Sequence, residues 1–371
     1  MKLAIITHVT HGTDFGRHFA YGPYVREMNI WTQYIDQVLI VAPVDLKARS
    51  AIDLAYAHSN VRIFPVKAFN ITSIAATVKT LILLPAIFIS VYRAMKLADH
   101  IHLRCPGNMG LIGCLVQVLF PKKKKSAKYA GNWDPDSKQP LSYKLQKIIL
   151  NNTFLTRNMQ TLVYGEWPKT SANIKPFFTA TYYESDKVDV PPRDLSDGVT
   201  FLFVGTLSEG KQPLYALQLV EKINQSGLNA AIEFYGEGNQ RNILQDYINQ
   251  NGIRFARLMG NQEESVIRRA YQQSHFLVLP SKSEGWPKVV AEAMFWQCVP
   301  MATSVSCVPY MLDQGKRGIL LTLDLQEDSQ TIVSIVSDVA HYKRLADDGI
   351  SWSGRYTLDV FAAEVQKILS Q

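Results

Sequence analysis

The chain is poor in cysteine: Cys105, Cys114, Cys298 and Cys307 are the four it has in 371 residues. Their spacings match neither a metal framework nor a disulfide scaffold, so they read as core residues of a reduced, cytosolic protein. A long hydrophobic run is also missing. The greasiest stretch has about a dozen apolar residues between Lys79 and Arg93, against the ~20 that a membrane-spanning helix needs. No secretory leader is expected, because Lys2 leads straight into Leu3-Ala4-Ile5-Ile6, too short for a leader's apolar region and better read as a first strand. Nothing resembles a nucleic-acid-binding module, and no acidic cluster reads as a metal site.

What remains is a globular composition, 47% hydrophobic, in a chain long enough for two domains with cores of their own. Its net charge of +7 is unevenly spread. Residues 1–194 hold 24 Lys and Arg against 13 Asp and Glu, a net of +11, and the remainder is net −4. A basic first half suits an anionic partner, such as a phosphorylated acceptor or an anionic membrane surface.

Taken in order, the first half reads as strand, ligand-type loop, helix, strand: Leu3–Ile6, a loop over 7–23, a helix from Pro23 to Tyr34, then Gln37–Ala42. That is a doubly wound opening. The loop is long and rich in Gly and His, so His11, Gly12 and Gly16 are candidates to approach a ligand. Val61–Pro65 is a further strand, and 71–98 an apolar helix that either packs on the sheet or touches a membrane beside the lysine run 122–125. Strands are expected at His100–Leu103, Ala127–Ala130, Gln160–Val163 and Ala180–Tyr182, and a helix at Leu111–Phe120. Parallel strands put chemistry at their carboxyl ends, which makes Arg104 and Asn132 candidates to position an acceptor. Charged residues and Pro191-Pro192 mark 184–198 as a linker.

The second half opens on the buried strand Thr200–Val204, ending in Gly205, followed by a loop with Lys211 and a helix from Pro213. Ala231–Tyr235 ends in Gly236-Glu237-Gly238, and Arg257–Gly260 is followed by Asn261. The whole chain is organised around 274–303. There an apolar strand, Phe276–Leu279, runs into a polar loop with Glu284 and Gly285, and Pro287 opens a helix that carries Glu292. The start of that helix offers backbone N–H groups and the positive end of a dipole, a site for phosphate.

The segment from Glu284 to Met294, with seven residues between Glu284 and Glu292, resembles the signature of retaining nucleotide-sugar glycosyltransferases of family 4, which have the GT-B fold. The resemblance implies an α/β chain of two Rossmann-like, doubly wound domains facing a cleft. Residues 1–190 would form the acceptor side and 198–350 the nucleotide-sugar side, and a last helix within 352–371 would pack back on the first domain. It further implies that Glu284 holds the donor sugar and Glu292 the ribose. Gly205, Lys211, Gly285, Lys288 and Val289 would surround the diphosphate, and Gly236 and Asn261 the nucleotide. Where the family carries an Arg beside its Lys, this chain has Thr206. The family usually ends the strand matching 127–130 in His, where this chain has Gly131 and Asn132.

The expected reaction is a metal-independent, retaining transfer of a hexose-type sugar to an acceptor hydroxyl, with Glu284 and Lys211 in the catalytic roles and no cofactor. The expected setting is polysaccharide or glycolipid assembly in the cytoplasm, at the inner face of the cell membrane, with a saccharide or lipid-linked acceptor. Two other readings stand beside it: a GT-B-like nucleotide-sugar epimerase, and a non-catalytic sugar-nucleotide binding protein.

Overall fold

The computed structural model describes residues 1–45, 49–50, 52–68, 74–191 and 193–371. The chain divides into two compact units, Met1–Phe177 with Ala362–Gln371, and Phe178–Phe361.

The first unit runs β1 (Lys2–Ile6), β2 (His11–Asp14), β3 (Arg17–Tyr21), α1 (Gly22–Thr32), β4 (Gln37–Pro43), β5 (Asp53–Ala55), β6 (Val61–Val66), α2 (Ile74–Leu97), β7 (His100–Cys105), α3 (Asn108–Val116), β8 (Lys124–Tyr129), α4 (Leu141–Leu150), β9 (Met159–Tyr164) and β10 (Ile174–Phe177). Seven of these strands form one parallel sheet in the order β10-β9-β8-β7-β1-β4-β6. Its inner strands are buried on both faces because both are covered; β1 and β4 are apolar throughout their buried residues, whereas β7 and β8 also bury His100, His102, Lys125 and Lys128. Ile87, Val91 and Met95 of α2, Met109 and Ile112 of α3 and Ile149 of α4 pack with Ile6, Ile101, Leu103 and Val163 in one core. Val25, Met28 and Trp31 of α1 are fully buried as well, and the Trp31 ring lies 4.0 Å from that of His102.

The stretch expected as a ligand loop is instead a hairpin. β2 and β3 pair antiparallel, and β5 adds a third strand. Phe15 (φ 44) and Gly16 (φ 74) are both left-handed, the backbone that a two-residue turn between twisted strands requires. Glycine and histidine disguised these strands, which carry little of the β-branched signal. The helix expected over 71–98 is α2, and residues 71–73 lie outside the described ones. The lysine run is not a solvated stretch. Lys123 Nζ donates to the carbonyls of Met95 (2.8 Å), Lys96 (2.7 Å) and Ala98, closing the carboxyl end of α2. Lys125, inside β8, is 2% exposed and donates to Gln117 Oε1 at 2.8 Å. No helix among the described residues is long and apolar enough to cross a membrane.

The second unit runs β11 (Val199–Val204), α5 (Pro213–Gln225), β12 (Ala230–Tyr235), α6 (Arg241–Gln250), β13 (Ala256–Gly260), α7 (Glu264–Gln273), β14 (Phe276–Leu279), α8 (Lys288–Phe295), β15 (Val299–Thr303), α9 (Val308–Met311), β16 (Ile319–Leu321), α10 (Leu325–Ser337) and α11 (Val339–Ser353). The last helix, α12 (Leu358–Ser370), belongs to this unit up to Phe361 and to the first unit from Ala362. The sheet is parallel, in the order β13-β12-β11-β14-β15-β16, over a core that includes Phe201, Phe203, Phe234, Phe276 and Ile332.

The boundary falls earlier than the expected 190. The first unit ends at Phe177, so Ala180–Tyr182 is no strand of it, and the segment read as a linker belongs to the second unit; Pro192 lies outside the described residues. Arg193 shows why the segment is fixed there. Its guanidinium donates to the carbonyls of Tyr271 (2.9 Å), Gln272 (3.2 Å), Trp296 (2.6 Å) and Gln297, at the carboxyl ends of α7 and α8, where a cation satisfies both orphan carbonyls and dipole.

Candidate functional site

In the second unit the chain leaves β11 to build β12 and β13 on one side, then crosses back to place β14 on the other. The carboxyl ends of β11 and β14 therefore flank the point where strand order reverses, where an open α/β sheet leaves a crevice. Gly205 ends the first strand at φ 149. Gly236, after β12, is fixed by packing: a Cβ there would lie 1.9 Å from the Gly205 carbonyl oxygen, and its N–H donates to Gly260 O at 2.9 Å. Asn261 follows on the exposed rim of β13.

The two loops at this crevice are tied together. Lys211, in a short 3-10 turn (Glu209–Lys211) after β11, forms an ion pair with Glu284, beyond β14. The Glu284 side chain is 9% exposed and that of Lys211 29%. Lys282 pairs with Glu209 at 2.8 Å, and its N–H donates to Gly210 O at 2.8 Å. From the other side, Cys307 Sγ (2.9 Å) and Ser306 Oγ (3.3 Å) donate to Gly285 O. Trp286 is buried and stacks on Trp352, ring centroids 5.9 Å apart. Glu284 is thus presented by a loop pinned on both sides. Thr206 is exposed on the β11 loop.

Pro287 stands at the cap position rather than inside the helix, and its carbonyl accepts from Val290 N at 3.0 Å. Lys288 and Val289 open α8, and their N–H groups are the first-turn amides that no helical carbonyl reaches. One turn on, Glu292 is held by two hydroxyls: Thr181 Oγ1 donates to Oε1 at 2.6 Å and the Tyr271 hydroxyl to Oε2 at 3.0 Å. Tyr271 is fully buried; burial first, then the Glu292 charge, push its hydroxyl well above the usual tyrosine range, so it stays protonated and donating. Glu292 and Lys288 line a cavity of about 10 Å³ with Thr181 and Tyr356, the size of a single water. Neither Thr181 nor Tyr271 carries a local sequence signal. They lie 111 and 21 residues from Glu292 in the chain.

In the first unit strand order reverses between β1 and β7. The residues gathered there serve largely the unit itself. Arg104 pairs with Glu27, which also pairs with the buried Lys128 at 3.0 Å. His11 is 1% exposed, with Nδ1 2.8 Å from Val9 O and Nε2 2.7 Å from the Tyr56 hydroxyl; burial pushes its pKa down to about 4. Gly12 lies under the Phe19 ring, 2.2 Å from where a Cβ would stand, and Gly16 makes the hairpin turn. Asn132 Oδ1 accepts from Asp134 N at 2.8 Å, a turn contact. His8, not singled out by sequence, follows β1 beside Gly107, whose Cβ would stand 2.8 Å from its Nδ1. Asp134-Pro135-Asp136 is an Asp-x-Asp spacing that the reading of acidic clusters passed over. Asp134 Oδ1 accepts from Asp136 N at 2.9 Å in a local turn, and no group of three or more potential metal ligands converges among the described residues.

Residues 198–338 match the family described as glycosyl transferases group 1. An uncharacterized glycosyltransferase of Methanocaldococcus jannaschii is 21% identical over 154 residues, 41% of this chain. The match spans 43% of that relative's length. Among solved structures, HepE of Anabaena in complex with UDP superposes with a TM-score of 0.70 at 13% identity, over 100% of both chains. The lipopolysaccharide outer core galactosyltransferase WaaB gives 0.69 at 15%, over 100% of this chain and 99% of that one. Sucrose-phosphate synthase of Thermosynechococcus elongatus gives 0.64 at 16%, over 100% and 98%. Residues 198–338 thus match the glycosyl transferases group 1 family, and the chain has the two-domain GT-B fold.

Proposed function

We propose that this protein is a retaining glycosyltransferase that moves a hexose-type sugar from a nucleoside diphosphate to an acceptor hydroxyl. The observation that carries the reading is the Lys211–Glu284 pair at the carboxyl ends of β11 and β14, beside the amino end of α8. As the glycosidic bond breaks, the sugar becomes cationic and the diphosphate gains negative charge. In this reading the Lys211 ammonium and the first-turn N–H groups of α8 stabilise that charge, and fixed dipoles of this kind need no reorganisation during reaction. Such a set of cations and dipoles can do the work a divalent ion does elsewhere, so the transfer is proposed to be metal-independent. Glu284 orients the sugar through charge-assisted hydrogen bonds, and Glu292 receives the ribose in place of the Thr181 hydroxyl. Gly205, Gly285 and the α8 amides border the diphosphate, and Asn261 the base. UDP is the first nucleotide to test, since structures of HepE contain UDP and UDP-glucose. The acceptor is proposed to be a saccharide or a lipid-linked saccharide on the cytoplasmic face of a membrane, whose phosphate would suit the net-basic first unit.

The test separates binding from chemistry. UDP and UDP-sugars are expected to raise the thermal transition of the chain. Glu284→Ala is expected to lower transfer or donor hydrolysis on the order of a hundredfold with nucleotide binding kept, and Glu292→Ala to weaken nucleotide binding. Full activity in both variants overturns the assignment. Nucleotide binding without turnover over a donor panel identifies a non-catalytic binder instead, which the exposed Thr206 in place of an Arg would favour.

A further inference from the structure

Two surface properties that are unrelated in origin coincide in one layer of the first unit. The first is charge. Residues 74–160 hold 13 Lys and Arg against three Asp and no Glu, a net of +10, so the rest of the chain is net −3. The second is exposed apolar surface. Among the described residues, 16 large hydrophobic side chains are exposed in the first unit and six in the second, although the units are of similar size. Eleven of the 16 fall within 74–160. Scattered exposed apolar residues need no explanation, whereas a concentration does.

The concentration is ordered. α2, α3 and α4 lie side by side on one face of the sheet. α4 buries Gln146, Ile149 and Leu150 and turns Leu141 (84% exposed), Leu145 (43%) and Ile148 (65%) outward. The spacing of four and then three residues puts these on one helical stripe. Phe154 (71%) extends it past the helix end, and Leu115 and Leu119 continue it beside α3. Lys138, Lys144 and Arg157 are exposed around the stripe, and Lys122 is exposed next to the inward-turned Lys123.

We infer that this α4 face is a docking surface for an anionic lipid bilayer, with the apolar stripe set into the headgroup boundary and the lysines against the lipid phosphates. An amphipathic helix with a basic border binds an interface in this way. The charge argues against a second copy seated face to face, because that would set the exposed Lys138, Lys144 and Arg157 against cations of the same sign. From sequence, α2 either packed on the sheet or touched a membrane beside the lysine run; α2 does pack in the core through Ile87, Val91 and Met95 while exposing Ile82, Phe88 and Ile89, and the inference rests on the α4 stripe beside it. The inference stands apart from the donor chemistry, since every residue in it lies outside the second unit.

The test is sedimentation of the full-length protein with vesicles of phosphatidylcholine alone, or of equal parts phosphatidylcholine and phosphatidylglycerol. The protein is expected to pellet with the anionic vesicles, and less so as salt is raised. L141S/L145S/I148S is expected to bind about tenfold more weakly or worse, and K138Q/K144Q about 25-fold more weakly, about fivefold for each charge. These residues are exposed, so folding is checked by circular dichroism, and the UDP-induced thermal shift serves as an independent readout of the second unit. The inference is overturned if the protein stays in the supernatant with anionic vesicles at low salt. It is also overturned if the serine variant pellets like the parent, or if gel filtration shows an oligomer that the serine variant dissolves.

Discussion

Glu292, proposed above to receive a ribose, is already engaged by the protein itself. Its two oxygens accept from Thr181 and Tyr271, and the space beside it is about 10 Å³. A ribose seated there must therefore take over the Thr181 contact. The two hydroxyls then differ in what they do. The Thr181 bond stabilises the empty site and is given up on binding, so Thr181→Ala is expected to tighten UDP binding by up to about tenfold, since hydrogen bonds to charged groups contribute ~1.5–3 kcal/mol and part of that is regained. Tyr271 donates to the other oxygen and keeps the carboxylate oriented in both states. Tyr271→Phe is expected to weaken UDP binding about tenfold and to cost about 1–3 kcal/mol of stability, the penalty for a buried acceptor that loses its donor. Titration calorimetry with UDP and urea unfolding measure both. Equal effects of the two substitutions on affinity would show that Thr181 is not displaced. The motif from Glu284 to Met294 was legible because strand, loop and helix are contiguous. The partners of Glu292 were not, because folding brings them from elsewhere in the chain.

Elements differ in how openly the sequence declares them. Buried parallel strands such as β4, β11 and β14 did so, as apolar runs bounded by Gly or Pro. β2 and β3 did not: their residues, His11 to Asp14 and Arg17 to Tyr21, alternate weakly and enclose a turn at Phe15-Gly16. The lysine run hid the start of β8, where Lys124 is exposed at the strand's first position and Lys125 onward is buried on both faces. β7 carries a further consequence. His100 and His102 both lie within hydrogen-bond reach of Ser126 Oγ, at 2.8 and 2.9 Å, and both are buried. Burial, then the Lys124 charge, lowers His100 to about 4; burial, then Arg104, lowers His102 well below the usual range. His11 on β2 is lowered to about 4, mainly by burial. A histidine held neutral in the fold binds fewer protons than in the unfolded chain, so its contribution is intact above pH ~6.5 and is lost as pH falls toward the folded value. At pH 5.5 each of the three is expected to cost the first unit about 1 kcal/mol relative to pH 7.5. Hydrogen exchange, corrected for intrinsic rate, should show protection falling in 1–177; unchanged protection there would mean these histidines are not held neutral.

At the scale of the molecule, α12 is the element that both units share. It starts within the second unit, where Phe361 packs edge-on to Phe178 at 5.8 Å, and its last ten-residue segment, Ala362–Gln371, belongs to the first. In that segment Val365, Ile368 and Leu369 are buried, and Lys124 Nζ donates to Ser370 O at 3.3 Å. The apolar stripe was visible in the sequence as a helical repeat, but which unit it served was not, since periodicity gives a face and not a neighbour. Burying three such side chains contributes roughly 5–9 kcal/mol, at about 1.5–3 each, which is comparable to the whole stability of a domain. A chain truncated after Phe361 is therefore expected to lose cooperative folding of its first unit. The second unit keeps its own sheet and core, including the Lys211–Glu284 pair, so the truncated protein should still show a thermal transition that UDP raises. Calorimetry with and without UDP checks both halves of this expectation. If truncation leaves the full unfolding enthalpy in place, the tail does not hold up the first unit. If it abolishes the UDP shift together with the first transition, the nucleotide site depends on both units rather than on the second alone.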